Sequence, residues 1–242
     1  MSHEAFAYQP RTSGNHHPDT RGNAAGSLAG LHLRTYDLEP TGDARHDAEE
    51  WKRAQSESLV QWAEEQCLVL EIKAFEEKLA DLKDLEGGLE HRVFVYKEMG
   101  RVIKLTKPPN FGLYEDLPIY VRNLVRSNLV FGDDVKVVGV LQTNDGAALV
   151  TSQEFVPGKS PSDSQVEQWF SGQGCERLAK HIWKYPDGTR VADTHSRNFI
   201  LTKENQIVPI DLHVEVLGAA WEGQLSSLLA AVRGENAPPV AD

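Results

Sequence analysis

The sequence predicts an α+β chain of two lobes: a small antiparallel sheet with one helix, then a minimal, mostly helical lobe, the whole preceded by a helical extension. Three observations carry this expectation. Apolar residues recur at near-helical spacing through "DARHDAEEWKRAQSESLVQWAEEQCLVLEIKAFEEKLADLKDL", the pattern of helices that bury one stripe. The period then switches to two in "HRVFVYKE" and "RVIKLT", as strands with one buried face require. Last, the run "VPGKSPSDS" separates the strand-rich part from the C-terminal part of the chain, because Pro, Gly, Ser and Asp favour bends over continued pairing.

Taken in order, residues 1–42 are rich in Gly, Ser, Pro, His, Asn, Asp and Arg. Such a segment buries too little apolar surface to order itself and is expected to be disordered or loosely attached. His3, His16 and His17 lack companion Cys or carboxylate spacing for a metal site. Residues 43–85 carry Ala48, Trp51, Ala54, Leu59, Trp62, Ala63, Cys67 and Leu70, then Phe75, Leu79 and Leu82. They read as one long helix or two short ones, bracing the sheet through Trp51 and Trp62 or forming a dimer surface. "EGG" at 86–88 stops the helical pattern, and the next hairpin turns around Met99–Gly100. "LPIYVRNLVRSNLVF" reads as a helix with Ile119, Leu124 and Val125 on one side and Arg122 and Arg126 four apart. "VKVVGVLQ" and "AALVTSQEF" flank the turn "TNDG" and complete a sheet lobe over 86–153. In the second lobe, 154–235, helices are expected at 163–171 and 174–184, the first opened by the cap-like "SPSDSQVEQ". Strands "RNFIL" and "IVPID" come next around "TKENQ", then an amphipathic helix over about 219–233 and a flexible tail, 236–242.

Bulk composition excludes several function classes. With 242 residues, 40% hydrophobic and 25% charged, the chain can bury a core. A net charge of −11, with no basic run longer than a pair, argues against nucleic acid as a partner. Cys67 and Cys175 have no CxxC spacing and are expected to be reduced, mostly buried thiols. No apolar run reaches the roughly 18 residues of a membrane span, and the polar N-terminus lacks a signal-like apolar region. The expectation is a cytoplasmic protein with no membrane partner.

The chemistry-bearing stretch is "VADTHSRNFIL", with an Asp, a His and an Asn at the mouth of an apolar strand. Asp193 and Asn198 stand five apart, and Asp211 lies eighteen after Asp193 at the end of "IVPI". A carboxylate at the end of a buried strand is costly unless it meets a cation. Asn198 and Asp211, arriving from opposite strands of a hairpin, make a hard-ligand Mg2+ site, with Asp193 left free to accept a proton. The plainer alternative is two turn residues and a strand-end Asp with no metal. Lys104, flanked by Val102, Ile103 and Leu105, either points into a cleft or lies on the solvent face of an edge strand. Gly87 and Gly88 either bring bare N–H groups to phosphate oxygens or only cap a helix.

The pattern D-x-H-x-x-N followed by an apolar-Asp strand resembles the catalytic and metal loops of the protein-kinase-like fold, as in aminoglycoside and choline phosphotransferases. "WAEEQ", "GGLEHRVFVYKEMGRVIKLTKPPNFG", "YVRNLVRSNLVFGDD" and "LVTSQEFVPGK" resemble the polyvalent-protein kinase domain of bacteria, phages and other mobile elements, related to persistence-toxin kinases. The resemblance covers about residues 55–215. It implies a two-lobed kinase using ATP and Mg2+: Lys104 on the α- and β-phosphates, Asp193 as base, Asn198 and Asp211 on the metal. It places His195 as a backbone brace and makes "SQEFVPG" the hinge, with Glu154, Phe155 and Val156 facing adenine. Glu115, with Asp116 beside it and Pro118 close behind, is the early-helix candidate to pair with Lys104. Two departures stand out: "DLH" replaces Asp-Phe-Gly, and little chain separates Asp211 from the final helix. The expected function is transfer of a γ-phosphoryl group to a hydroxyl of a protein or small molecule. The alternatives are a kinase-like module that grips nucleotide or partner without transfer, and a mobile-element toxin kinase acting on host machinery.

Overall fold

A computed structural model describes residues 28–36, 38, 48–85, 90–112 and 116–234. The expectations for Gly87, Gly88, Glu115, the three N-terminal histidines and the tail 236–242 therefore lie outside the described residues. The chain forms two compact units. One holds the described residues up to Val125 together with Asp134–Phe155, and the other holds Arg126–Asp133 and everything described from Val156 onward.

In the first unit the hydrophobic stripe of the extension becomes two helices. α2 (Ala48–Glu65) and α3 (Ile72–Leu79) are separated where Cys67 takes a left-handed φ of 57° and Val69 bridges in parallel to Val140. Helix α1 (Leu28–Tyr36) precedes them. This corrects the reading of 1–42 as a loose segment throughout. Leu31 is fully buried, Leu28, Ala29, His32 and Thr35 are buried with it, and α1 touches α2. Cys67 is exposed rather than buried. Cys175, in the other unit, is half-buried, and burial with the nearby Asp187 charge pushes its thiol up to about 12, which leaves it unreactive.

The sheet comprises β1 (Lys83–Asp84), β2 (His91–Tyr96), β3 (Arg101–Thr106), β4 (Lys136–Thr143) and β5 (Gly146–Glu154) in the order β1-β2-β3-β5-β4, all antiparallel. Gly100, at φ 61°, closes the β2–β3 turn, a backbone state that a glycine adopts without steric cost. Period-two alternation places Phe94, Leu105, Leu141, Ala148 and Val150 on one face, packed with Leu79 and against Leu70, Phe75 and Leu82. The other face carries Lys104 opposite Val93 and Thr151, with His91 opposite Thr106.

Helix α4 (Leu117–Phe131) covers that second face: the His91 and Tyr120 side chains form a buried hydrogen bond of 2.8 Å. Pro118 sits in its first turn, where a missing N–H leaves no helical bond unmade. The Leu117 N–H is satisfied from a distance by the buried Gln55 of α2, and the neighbouring Ser56 Oγ accepts from the Ala147 N–H at 2.7 Å. The extension is thus wired into the sheet unit by polar groups as well as by Leu59, Trp62 and Ala63. The buried side of α4 is Leu117, Tyr120, Val121, Leu124 and Val125, whereas Ile119 is exposed. Burial follows the i, i+3, i+4 positions, and Ile119 falls between them.

The second unit corrects the expectation of a mostly helical lobe. Its complete helices among the described residues are α5 (Asp163–Gly172) and α6 (Ala219–Arg233), beside six short strands. α5 opens with a capping box: the Gln165 N–H donates to Ser162 Oγ, and the Gln165 side chain accepts from the Ser162 N–H. The stretch 174–184 forms a hairpin rather than a helix. β6 (Glu176–Ala179) and β7 (Ile182–Lys184) join through a two-residue turn in which His181 has φ 62°. The tertiary reason is Trp183, buried and stacked on Phe170 at 4.9 Å between ring centroids, a contact stronger than local helix preference. β8 (Arg190–Ala192) and β11 (His213–Val216) complete a sheet ordered β11-β8-β7-β6, and β9 (Phe199–Leu201) pairs with β10 (Ile207–Pro209). Gly158 lies so close to β9 that an added Cβ would stand 2.4 Å from the Leu201 carbonyl oxygen. Among the described residues no helix is long and apolar enough to cross a membrane.

Candidate active site

Strand β8 delivers the chain to Asp193, which adopts φ 55°, a left-handed state that Asp tolerates better than most side chains. The loop then folds back on itself. His195 N–H donates to Asp193 O at 2.9 Å, and after a 3-10 turn at Ser196–Asn198 the Asn198 N–H donates to His195 O, also at 2.9 Å. Buried Asn198 turns its amide nitrogen to Asp193, donating to the carbonyl oxygen at 2.8 Å and to Oδ2 at 2.6 Å. Both amide hydrogens are thereby committed. The Asn198 Oδ1, the only atom of that group a cation can use, is left outside this pair.

Backbone pairing brings Asp211 to the same place from two directions. The β9–β10 ladder runs Leu201–Ile207, Ile200–Val208 and Phe199–Pro209, and continues as the Ile210 N–H donating to Asn198 O at 3.0 Å. Two residues beyond Asp211, His213 lies opposite Ala192 in the β11–β8 ladder. Asp211 is bracketed between the residue facing Asn198 and the residue facing the entrance to Asp193. Among the described residues no three His, Cys, Asp or Glu side chains cluster as a metal site. Two hard oxygen donors nonetheless suit Mg2+, which keeps most of its octahedral shell for water and phosphate oxygens.

The model of the serine/threonine/tyrosine kinases found in polyvalent proteins matches residues 52–217. The chain belongs to this kinase family. The match carries nearly the bounds of the sequence resemblance and runs from within α2 to just past β11, leaving α1 and α6 outside it. Neither the curated proteins nor the solved structures compared with the chain include a match.

Within this kinase domain, Asp193, Asn198 and Asp211 are brought together in one unit. Lys104, Glu154 and Phe155 belong to the other, and the units part between Phe155 and Val156, inside the segment 152–158. Phe155 is tied down by its N–H, which donates to Gly100 O at 2.8 Å. α4 carries no Asp or Glu in Leu117–Phe131, and Asp116, just before it, uses its carbonyl oxygen to accept the Tyr120 N–H. Glu115, the carboxylate expected to pair with Lys104, lies outside the described residues.

Electrostatics around the loop are uneven. Asp193 Oδ1 lies 3.5 Å from His195 Nε2 and 3.9 Å from Arg197 Nη2. The His195 ring packs on His181 with centroids 3.7 Å apart. Burial first, and then His181, hold the His195 imidazole below its ordinary pKa, although Asp193 pulls the other way. The ring is biased to its neutral form. Sequence reading flags neither His181 nor Phe170. His181 carries no local signal, since its place depends on the hairpin folding back. For Phe170 the signal is aromatic density: Trp169, Trp183, Tyr185 and Phe199 all contact it.

Proposed function

We propose that the chain is an ATP- and Mg2+-dependent kinase that transfers the γ-phosphoryl group to a hydroxyl, Asp193 acting as base. The family's description favours a Ser, Thr or Tyr hydroxyl of a protein. The observation that carries the reading is the Asn198 amide fixed on Asp193 while the Ile210 N–H holds the approach to Asp211 against Asn198.

The assignment of steps rests on which oxygens are engaged. Asp193 Oδ2 accepts the short bond from Asn198, so Oδ1 receives the acceptor's proton. As that O–H proton moves to Oδ1, the acceptor oxygen forms its bond to the γ-phosphorus and the bond to the bridging oxygen breaks, leaving ADP. Asn198 Oδ1 and the Asp211 carboxylate would hold Mg2+, whose chemistry when bound is to neutralise charge on the phosphate oxygens. Lys104, on the α4-covered face of its sheet, would hold the α- and β-phosphates. The backbone of Glu154–Val156 would face adenine, and Gly87 and Gly88 would cover the phosphates. A second reading, a nucleotide-gripping module without transfer, is favoured by the short run of chain between Asp211 and α6, which begins at Ala219.

Radiolabel transfer decides between them. Full-length chain incubated with [γ-32P]ATP and a mixed pool of Ser, Thr and Tyr peptides is expected to label itself or the pool with Mg2+ and not with EDTA. Asp211→Ala is expected to remove that labelling. Nucleotide binding with no transfer under any of these conditions would support the second reading.

A further inference from the structure

We propose that the acceptor is an acidic peptide, its carboxylates held by Lys180 and Arg197 beside Asp193; this deepens the kinase reading and rests on it. The whole chain is acidic, at −11, yet two exposed cations, Arg197 and Lys180, lie on the loop and on the turn tied to it. In the β6–β8 region the two arginines are paired: Arg177 Nη1 lies 2.8 Å from Glu167 Oε1, and Arg190 Nε lies 2.6 Å from Glu215 Oε2. Lys180 forms no ion pair among the described residues, and Arg197 reaches only Asp193, at 3.9 Å. Arg197 therefore stands beside Asp193, and Lys180 sits on the turn next to His181, whose ring packs on His195 with centroids 3.7 Å apart.

Their placement fits an extended chain better than a nucleotide alone. Lys180 lies in the two-residue turn after β6, and the Thr194 N–H ties that turn to the loop by donating to His181 O at 3.3 Å. Strand β6 forms the edge of its sheet with all four residues exposed, so its outer backbone groups can pair with an added strand. An acidic segment laid along β6 would set its carboxylates on Lys180 and Arg197 and a neighbouring hydroxyl at Asp193. The overall negative charge repels acidic peptides elsewhere, so the site alone would select them.

Fluorescence polarisation tests this without requiring turnover. The probe is a labelled peptide of Asp and Glu residues around one Ser, compared with the same peptide carrying Asn and Gln instead, both titrated with the full chain without nucleotide. The acidic peptide is expected to bind at least about tenfold tighter than its amide counterpart, and the Lys180→Glu/Arg197→Glu double variant to lose that margin. Both side chains are exposed, so the variant is expected to melt like the wild type, which circular dichroism checks. Equal binding of the two peptides, acidic binding undiminished in the double variant, or displacement of the peptide by Mg-ATP would each overturn the inference. Transfer of label from ATP with no acidic preference would sink this inference alone, whereas loss of Mg-dependent transfer would sink the kinase reading.

Discussion

Replacing Asp193 by Asn is expected to lower kcat for phosphoryl transfer by about 10²- to 10⁴-fold, the usual contribution of a positioned general base. Asn is close to isosteric, and its carbonyl oxygen can still accept the Asn198 amide hydrogen that now goes to Oδ2. The left-handed backbone at this position is also one that Asn adopts readily. The loop should therefore keep its shape and the melting temperature should hardly move. Missing from the variant is an oxygen basic enough to take the acceptor's proton. Steady-state kinetics beside a melting curve separates the two effects. An undiminished kcat would remove Asp193 from the chemistry and leave it as a turn residue.

Phe170→Ala is expected to destabilise the second unit by about 3–5 kcal/mol, the range for deleting a buried aromatic ring from a packed core. Phe170 is fully buried and central to its cluster: it stacks on Trp183 with an interplanar angle of 7° and meets Phe199 edge-on at 6.0 Å. Against a typical total of about 5–15 kcal/mol this is a large fraction. The loss also reaches the site, because Phe199 directly follows Asn198 and Trp183 follows the hairpin turn that holds His181. Phe170→Leu, which refills much of the volume, is expected to recover most of the stability. Urea unfolding of the three proteins measures this; a shift below about 1 kcal/mol for the alanine variant would show that the cluster does not hold the unit together.

The parts legible from sequence are those where local pattern and tertiary burial agree. "HRVFVY" and "RVIKLT" alternate cleanly because one face meets Leu79 and Phe75 while the other meets α4, and they form β2 and β3 as expected. α4 keeps the expected bounds, 117–131, since Pro118 marks its first turn and Gly132, with φ 65°, ends it. The loop stands out in the sequence because its D-x-H-x-x-N pattern before an apolar-Asp strand resembles the loops of kinase-like folds. Illegible parts depend on distant contacts. Nothing near Trp183 announces that it will stack on Phe170, so 174–184 reads as a helix and folds as a hairpin. The short apolar run of α1 is swamped by polar neighbours, although Leu31 finds full burial beside α2. The break between α2 and α3 arises from the Val69–Val140 bridge, a pairing about seventy residues away along the chain. At the site itself, sequence supplies the residue types, while the geometry that matters comes from the backbone ladders: Ile210 on Asn198, and His213 opposite Ala192.

The central claim is that Asn198 and Asp211 hold Mg2+ with the nucleotide. Isothermal titration of a non-hydrolysable ATP analogue, with and without Mg2+, tests it most directly in wild type and Asp211→Ala. The wild type is predicted to bind the analogue at least about tenfold tighter when Mg2+ is present, and the variant to lose that increment. Mg2+-independent binding in the wild type, or an increment that survives Asp211→Ala, would contradict the account.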